Sequence, residues 1–308
     1  MPLNCKVSYA PVALFVYNRP IHTRQTVEAL LTNADASKSA LYVFSDASRN
    51  SSSIKAVTEV RSYIRSITGF KSITIIEREN NFGLSNSIID GVTKLCEEFG
   101  RAIVVEDDLQ LSPSFLTFMN RALDRYECEE KVFQISGYQF DAPELSELST
   151  AFFLPFTVSW GWATWKRAWD NFDPLASGWD ALSRDKALRN RFNLDGAYDY
   201  ASMLIRQMSG KSDSWAIRWY WSVFRMNGLI LFPPVSLVIN RGLDGSGSHG
   251  RGILREFSGT LSMYSLNFID LPETIYLSHT LFLSVKKNLT TKNGGRVGFI
   301  IDCIRRLF

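Results

Sequence analysis

The chain has 308 residues, a hydrophobic share of 45% and a formal net charge of +3. That length permits one large domain or two small ones with a full core, and so small a charge makes no case for nucleic acid as a partner. Cys5, Cys96, Cys128 and Cys303 form no Cys-x-x-Cys pair, which argues against structural zinc or a disulfide framework and fits a reducing cytoplasm.

Residues 12–17 form an apolar run that reads as a buried strand, broken by Asn18, Arg19 and Pro20. Thr23 suits the N-cap of a helix reaching residue 31. A second strand, 41–44, ends at Ser45 and Asp46, and a helix follows over 54–66. A third strand, 72–76, ends in the polar run 77–81, with Arg78 and Asn81 in it; Gly83 and Leu84 then open a helix over 85–99. The fourth strand, Ile103-Val-Val105, stops at three adjacent acids, Glu106, Asp107 and Asp108. Strand and helix alternating at this spacing predict a parallel sheet with right-handed crossovers. All four polar strand ends then gather at the carboxyl edge, where open α/β sheets bind ligands.

The acidic triplet is the sharpest feature. Three neighbouring carboxylates repel one another and are costly to bury unpaired. A cation at the strand end makes them tolerable. The plainer alternative is a solvated turn in which Asp108 caps the next helix.

Beyond it, 113–125 reads as a helix and 131–136 as a strand. All eight tryptophans lie between Trp160 and Trp221, which marks a distinct region. Residues 195–208 read as helical, and 215–226 has helical spacing ending at Asn227-Gly228. Strands are expected at 229–232 and 235–239, then a glycine-rich loop, 240–252, around His249. The tail, 298–308, mixes apolar residues with Arg305 and Arg306, as an amphipathic helix lying on a membrane or on the body would. No secretion signal opens the sequence, and no apolar run reaches the length of a membrane span.

For a nucleotide-sugar the leaving group is the nucleoside diphosphate, whose charge calls for a cation. Oxygen ligands suit Mg2+ or Mn2+. Asp108 is the first candidate ligand, with Glu106 and Asp107 positioning ribose or metal-bound water. His249 offers an imidazole to a manganese shell, or is an ordinary loop histidine. Deprotonating an acceptor hydroxyl needs a carboxylate. Asp213 is the first choice and Asp180 the second, although Asp213 also suits the N-cap of the helix at Trp215. Trp160, Gly161, Trp162 and Trp215 form the candidate sugar pocket, because flat apolar sugar faces pack on aromatic rings. Trp165 and Trp169 read as core.

Taken in order, residues 12–19, Phe44-Ser-Asp46, Asn81-Phe-Gly-Leu84 and Val104-Val-Glu-Asp-Asp-Leu109 resemble the GT-A fold glycosyltransferases. More narrowly, they resemble bacterial sugar transferases related to the mannosyl-glycoprotein N-acetylglucosaminyltransferase family. Ser159-Trp-Gly-Trp-Ala163 and Ser214-Trp-Ala-Ile-Arg-Trp219 extend the resemblance, which spans roughly residues 11–250. It implies an α/β fold of GT-A type: a Rossmann-like, mostly parallel central sheet flanked by helices, with an aromatic-rich acceptor side. It implies a DxD-like triplet with Asp108 on manganese, Asp46 on the uracil and Arg19 near the diphosphate. Asn18, Arg78, Asn81, Gly83 and Leu84 would line the nucleotide pocket. The acidic pair expected beside a tryptophan is not clearly present, so the base stays open.

The expectation is a metal-dependent, inverting, Leloir-type transferase, hexosyl or N-acetylhexosaminyl. It would carry a UDP-sugar to a glycan or lipid-linked glycan in surface polysaccharide synthesis, in the cytoplasm and against the inner membrane through the tail. One domain is expected over 1–280, with a nucleotide half (1–140) and an acceptor half (151–260), and a tail over 281–308. The alternatives are a carboxylate-pair glycosidase and a non-catalytic sugar-binding protein.

Overall fold

The computed structural model describes residues 9–140, 143–145, 148–242 and 269–292. Its first half alternates as expected: β1 (Val12–Val16), α1 (Pro20–Leu31), β2 (Ala40–Ser45), α2 (Ile54–Ile64), β3 (Ser72–Glu77), α3 (Gly83–Phe99) and β4 (Arg101–Glu106). A short β5 (Leu109–Leu111) leads to α4 (Phe115–Arg125), β6 (Val132–Ser136), β7 (Phe152–Leu154) and β8 (Trp162–Trp165). Then come α5 (Lys166–Trp169), α6 (Ala181–Arg184), α7 (Lys186–Phe192), α8 (Tyr200–Met208), α9 (Trp215–Arg225), β9 (Leu229–Phe232), β10 (Val238–Asn240) and α10 (His279–Lys292).

β1 is buried along its whole length, as a strand covered on both faces must be. It pairs in parallel with β2 on one side and β4 on the other. The described strands form an eight-stranded sheet in the order β3-β2-β1-β4-β8-β6-β9-β7. The chain runs outward from β1 to β2 and β3, then returns to β4 on β1's other flank. The strand order therefore reverses between β1 and β4, the topological switch point at which open α/β sheets place ligands. Past β4 the sheet is mixed: β8 is antiparallel to both neighbours, β6 and β9 are parallel, and β7 closes the edge antiparallel to β9. β5 and β10 form a separate two-stranded antiparallel ribbon.

Local chemistry moves several boundaries from their expected places. α1 begins at Pro20, whose missing N–H costs nothing in a helix's first turn. Thr23 therefore lies inside the helix, and its hydroxyl donates back to the Arg19 carbonyl at 2.9 Å. The helix expected over 195–208 begins only at Tyr200. Leu194 and Asp195 have φ of 52° and 58°, a left-handed turn no helix can contain, and Asp199 caps the later start. The second of the two late strands sits at Val238–Asn240 rather than 235–239, because Pro233 and Pro234 are followed by a further turn. The boundary drawn at 280 falls inside α10, and Val285 and Leu289 of that helix are buried in the same core as the sheet. Residues 298–308 lie outside the described residues. No described helix is long and apolar enough to cross a membrane.

Two glycines bring β10 against the end of β6. Gly137 N–H donates to the Gly161 carbonyl at 2.7 Å. A Cβ on Gly137 would lie 2.7 Å from Phe115, and 2.8 Å from both the Gly161 carbonyl oxygen and Val238. A backbone atom cannot yield as a flexible side chain does. Gly137→Ala is therefore expected to lower stability by about 1–3 kcal/mol, the usual range for overpacking a filled site. Chemical denaturation followed by tryptophan fluorescence measures it.

Candidate active site

The carboxyl edge of the parallel strands is built from short extensions of β1, β2, β3 and β4. Arg19, three residues past β1, spans the switch point. Its Nη2 donates to Asp107 Oδ1 at 2.7 Å and to Asp108 Oδ2 at 2.8 Å. Both carboxylates of the β4 tip thus converge on one nitrogen. Their backbones are fixed as well: Thr26 Oγ1 donates to the Asp107 carbonyl and Arg241 N–H to the Asp108 carbonyl, each at 2.8 Å. Tyr17 N–H reaches Asp107 Oδ2 at 3.4 Å. The main chain after β10 lies directly over the pair. A Cβ on Gly242 would overlap the Asp108 carboxylate and approach Arg19 Nη1 to 2.8 Å.

One guanidinium does not balance three acids. Burial first, then the charges of Asp108 and Asp107, push Glu106 up to about 8, with Arg19 pulling the other way. Burial raises Asp107 to about 6 against the opposing pull of Arg19. The plain solvated turn is not what forms here: Asp107 is 4% exposed, and Asp108 does not cap α4.

The Asp46 carboxylate, expected on the uracil, is engaged by the protein itself. It accepts from the N–H groups of Ala47, Phe82 and Gly83 at 2.8–2.9 Å, and from Asn81 Nδ2 at 3.0 Å. Asn81 Nδ2 also donates to the Ala47 carbonyl at 2.7 Å. Four donors fill a carboxylate's ordinary capacity. Asp46 therefore ties the end of β2 to the start of α3, whose own N-cap, Phe82, offers no side-chain bond. Arg78 is likewise drawn inward, onto Asp90 of α3 and over the Phe82 ring at 4.4 Å. Leu84 remains exposed, and Asn18 is half-buried at the end of β1.

The two candidate bases separate clearly. Asp213 is 62% exposed, its Oδ1 3.9 Å from Arg218 Nη2. It stands beside the start of α3, since a Cβ on Gly83 would lie 3.6 Å from Asp213 Oδ2. The N-cap of α9 is Ser214, whose side chain accepts from Ile217 N–H, so the capping role suggested for Asp213 is corrected. Asp180 pairs with Arg184 one turn along α6, and neither candidate makes a described contact with the acidic pair.

The expected aromatic pocket is largely core. Trp162 is fully buried on β8 and stacks on Trp215 with ring centroids 5.1 Å apart. Both tryptophans are corrected to packing roles, because β8 lies inside the sheet under α9 and not on its rim. Trp165 and Trp169 are buried as expected, their indole N–H groups bonded to the Leu123 carbonyl and Thr93 Oγ1. Trp160 is half-buried, edge-on to Tyr138 at 4.8 Å, and Gly161 takes φ of 57° where the chain turns into β8. His249 lies outside the described residues.

Three contributors escaped sequence reasoning. Gly242 could have been suspected as a glycine ending a strand. Thr26 sits inside a helix with no motif around it. Arg218 donates to Ser85 Oγ at 2.6 Å and links α9 to α3, and its signal was an arginine inside a tryptophan-rich segment.

No family model matches the chain, and no curated protein matches it. Among solved structures it is similar to the mannosyltransferase PcManGT from Pyrobaculum calidifontis in complex with GDP-Man and Mn2+, at 11% identity and a TM-score of 0.39, over 71% of this chain and 73% of that one. It is also similar to glucosyl-3-phosphoglycerate synthase from Mycobacterium tuberculosis in complex with Mn2+, UDP and glucosyl-3-phosphoglycerate, at 12% identity and a TM-score of 0.33, over 54% of this chain and 58% of that one. A third likeness is to S. aureus TarS, at 12% identity and a TM-score of 0.35, over 72% of this chain and 34% of that one. The ligands those names print belong to those proteins.

The bonding of Asp46 gives a direct test. Asp46→Ala leaves the N–H groups at the start of α3 without their partner and is expected to cost about 2–3 kcal/mol, the range for losing bonds to a buried charged acceptor. Urea unfolding measures the loss, and hydrogen exchange should place it at residues 81–85.

Proposed function

We propose that this chain is a glycosyltransferase that moves a sugar from a nucleotide donor, a UDP-sugar, to a hydroxyl of a glycan or lipid-linked glycan. The observation that carries the reading is the pair Asp107 and Asp108, turned onto a single cation at the switch point between β1 and β4. Magnesium and manganese are commonly held by one or two carboxylates, with substrate phosphates completing the shell. The pair suits that chemistry, although no three His, Cys, Asp or Glu side chains converge among the described residues. The buried Nη1 of Arg19, with no hydrogen-bond partner among the described residues, is a donor suited to a phosphate oxygen.

When bound, the divalent ion supplies charge stabilisation for the departing diphosphate. Asp108 and Asp107 would hold it, with Glu106 behind them, and His249 remains the further candidate ligand. Asn18, Arg19 and the turn from Asn81 to Leu84 would receive the nucleotide. Asp46 would act there by holding that turn in shape, since its own carboxylate is committed. Asp213 would take the proton from the acceptor hydroxyl, whose oxygen then attacks the anomeric carbon with inversion. Its position beside Gly83, at the start of α3, supports that role over Asp180. Trp160 is the aromatic ring left partly open to a sugar. A glycosidase needs two carboxylates facing one bond from separate positions, whereas here they share one cation, which favours transfer. The proposed setting is surface polysaccharide synthesis in the cytoplasm at the inner membrane, with Arg305 and Arg306 of the tail as the basic contact.

Thermal melting tests the donor site. UDP-sugar with Mn2+ is expected to raise the midpoint, chelation to remove the gain, and Asp108→Ala to abolish it while the ligand-free fold persists. A gain of equal size in Asp108→Ala would contradict the site. For the base, Asp213→Asn is expected to lower turnover by about a hundredfold or more, with the donor-induced shift unchanged. Product formation from a radiolabelled donor measures that loss.

A further inference from the structure

We propose that Arg19 is the resident counter-cation of the acidic pair, and that it and a divalent ion are mutually exclusive partners of Asp108, with the guanidinium passing to the donor diphosphate when the ion binds. The inference rests on the reading of the preceding subsection. It goes beyond that reading by assigning an order: donor and metal enter together, and metal alone competes with the protein's own arginine.

Three observations support it. The first is the shared atom. Arg19 Nη2 contacts Asp107 Oδ1 and Asp108 Oδ2 at 2.7 and 2.8 Å, so the point between the two carboxylates is already filled by positive charge. A divalent ion using the same oxygens would stand where that nitrogen stands. Like charges at such separations repel one another strongly where burial lowers the dielectric. The second is crowding on the Gly242 side. The Gly242 backbone covers the Asp108 carboxylate so closely that not even a methyl group fits between them, and the same added group would come within 2.8 Å of Arg19 Nη1. The third is the unspent donor. Nη1 is buried and has no hydrogen-bond partner among the described residues. A buried guanidinium donor without a partner is costly, and a phosphate oxygen satisfies it bidentately. A diphosphate thus offers the displaced arginine a better acceptor than the one it gives up.

The charge count agrees. With Arg19 on the pair, the triplet is only partly neutralised. With a divalent ion on the pair and the guanidinium on the diphosphate, both acidic groups have a counter-charge. On this account Arg19 holds the carboxylates in binding geometry until the donor arrives and then binds the diphosphate itself.

The test is Mn2+ binding to the full chain, followed by the paramagnetic resonance signal of free Mn2+, with and without UDP. The wild type is expected to bind Mn2+ alone weakly and Mn2+ with UDP strongly. In Arg19→Gln the affinity for Mn2+ alone is expected to rise about tenfold or more, the effect of removing one competing positive charge from beside the carboxylates. The gain conferred by UDP is expected to fall by a similar factor. A role confined to structure would weaken both. Arg19→Lys, which keeps a charge but cannot bridge the pair and reach a phosphate together, is expected to fall between them and serves if Arg19→Gln does not fold. Asp108→Asn is expected to bind no Mn2+ in either condition. If wild type binds Mn2+ with UDP but Arg19→Gln or Arg19→Lys binds Mn2+ alone no tighter than wild type, the exchange is overturned and the donor site stands. If wild type binds no Mn2+ even with UDP, the donor site and the exchange both fall.

Discussion

Charge at the tip of β4 is the constraint on which the rest of the site depends. Glu106, Asp107 and Asp108 follow one another at the end of a strand buried on both faces, and two of them turn onto Arg19. An acidic run in that position is costly unless a cation attends it, and burial accordingly holds Glu106 and Asp107 above the usual carboxylate range. The surrounding structure is spent on keeping the pair in place. Thr26 and Arg241 fix its backbone, and Gly242 closes it from above. Residues from β1, α1, β4 and the end of β10 therefore serve one small arrangement of charge.

The polar strand ends divide into two kinds. At β2 and β3 the side chains face inward: Asp46 ties β2 to the first turn of α3, and Arg78 binds Asp90 on the same helix. These contacts fix the start of α3 against the ends of β2 and β3. At β1 and β4 charged groups meet in direct contact, Arg19 against Asp107 and Asp108. Chemistry is expected where bonding remains unsaturated, as at Arg19 Nη1, and rigidity where it is complete, as at the Asp46 carboxylate.

Much of the first half was legible in the sequence because β1 to β4 are short apolar runs separated by periodic helices, the pattern a doubly covered parallel strand imposes. The triplet announced itself because three acids after Val105 have no place in a core. The second half was harder. Trp162 looked like part of a sugar platform, since a tryptophan beside a glycine reads alike whether its strand lies at the rim or, as here, inside the sheet. Only the placement of β8 between β4 and β6 decides it. The capping of α9 was misread by one residue, because Asp213 and Ser214 are both good caps and the helix chose the serine. The bond from Asp46 to α3 was invisible because its partners are backbone N–H groups 36 and 37 residues away.

A crystal structure with UDP and Mn2+ tests the central claim most directly. The account predicts the ion on Asp108 in the crevice between β1 and β4, the diphosphate beside it, and Arg19 turned from the carboxylate to a phosphate oxygen. A nucleotide bound elsewhere, with Arg19 still clasping Asp107 and Asp108, would contradict it.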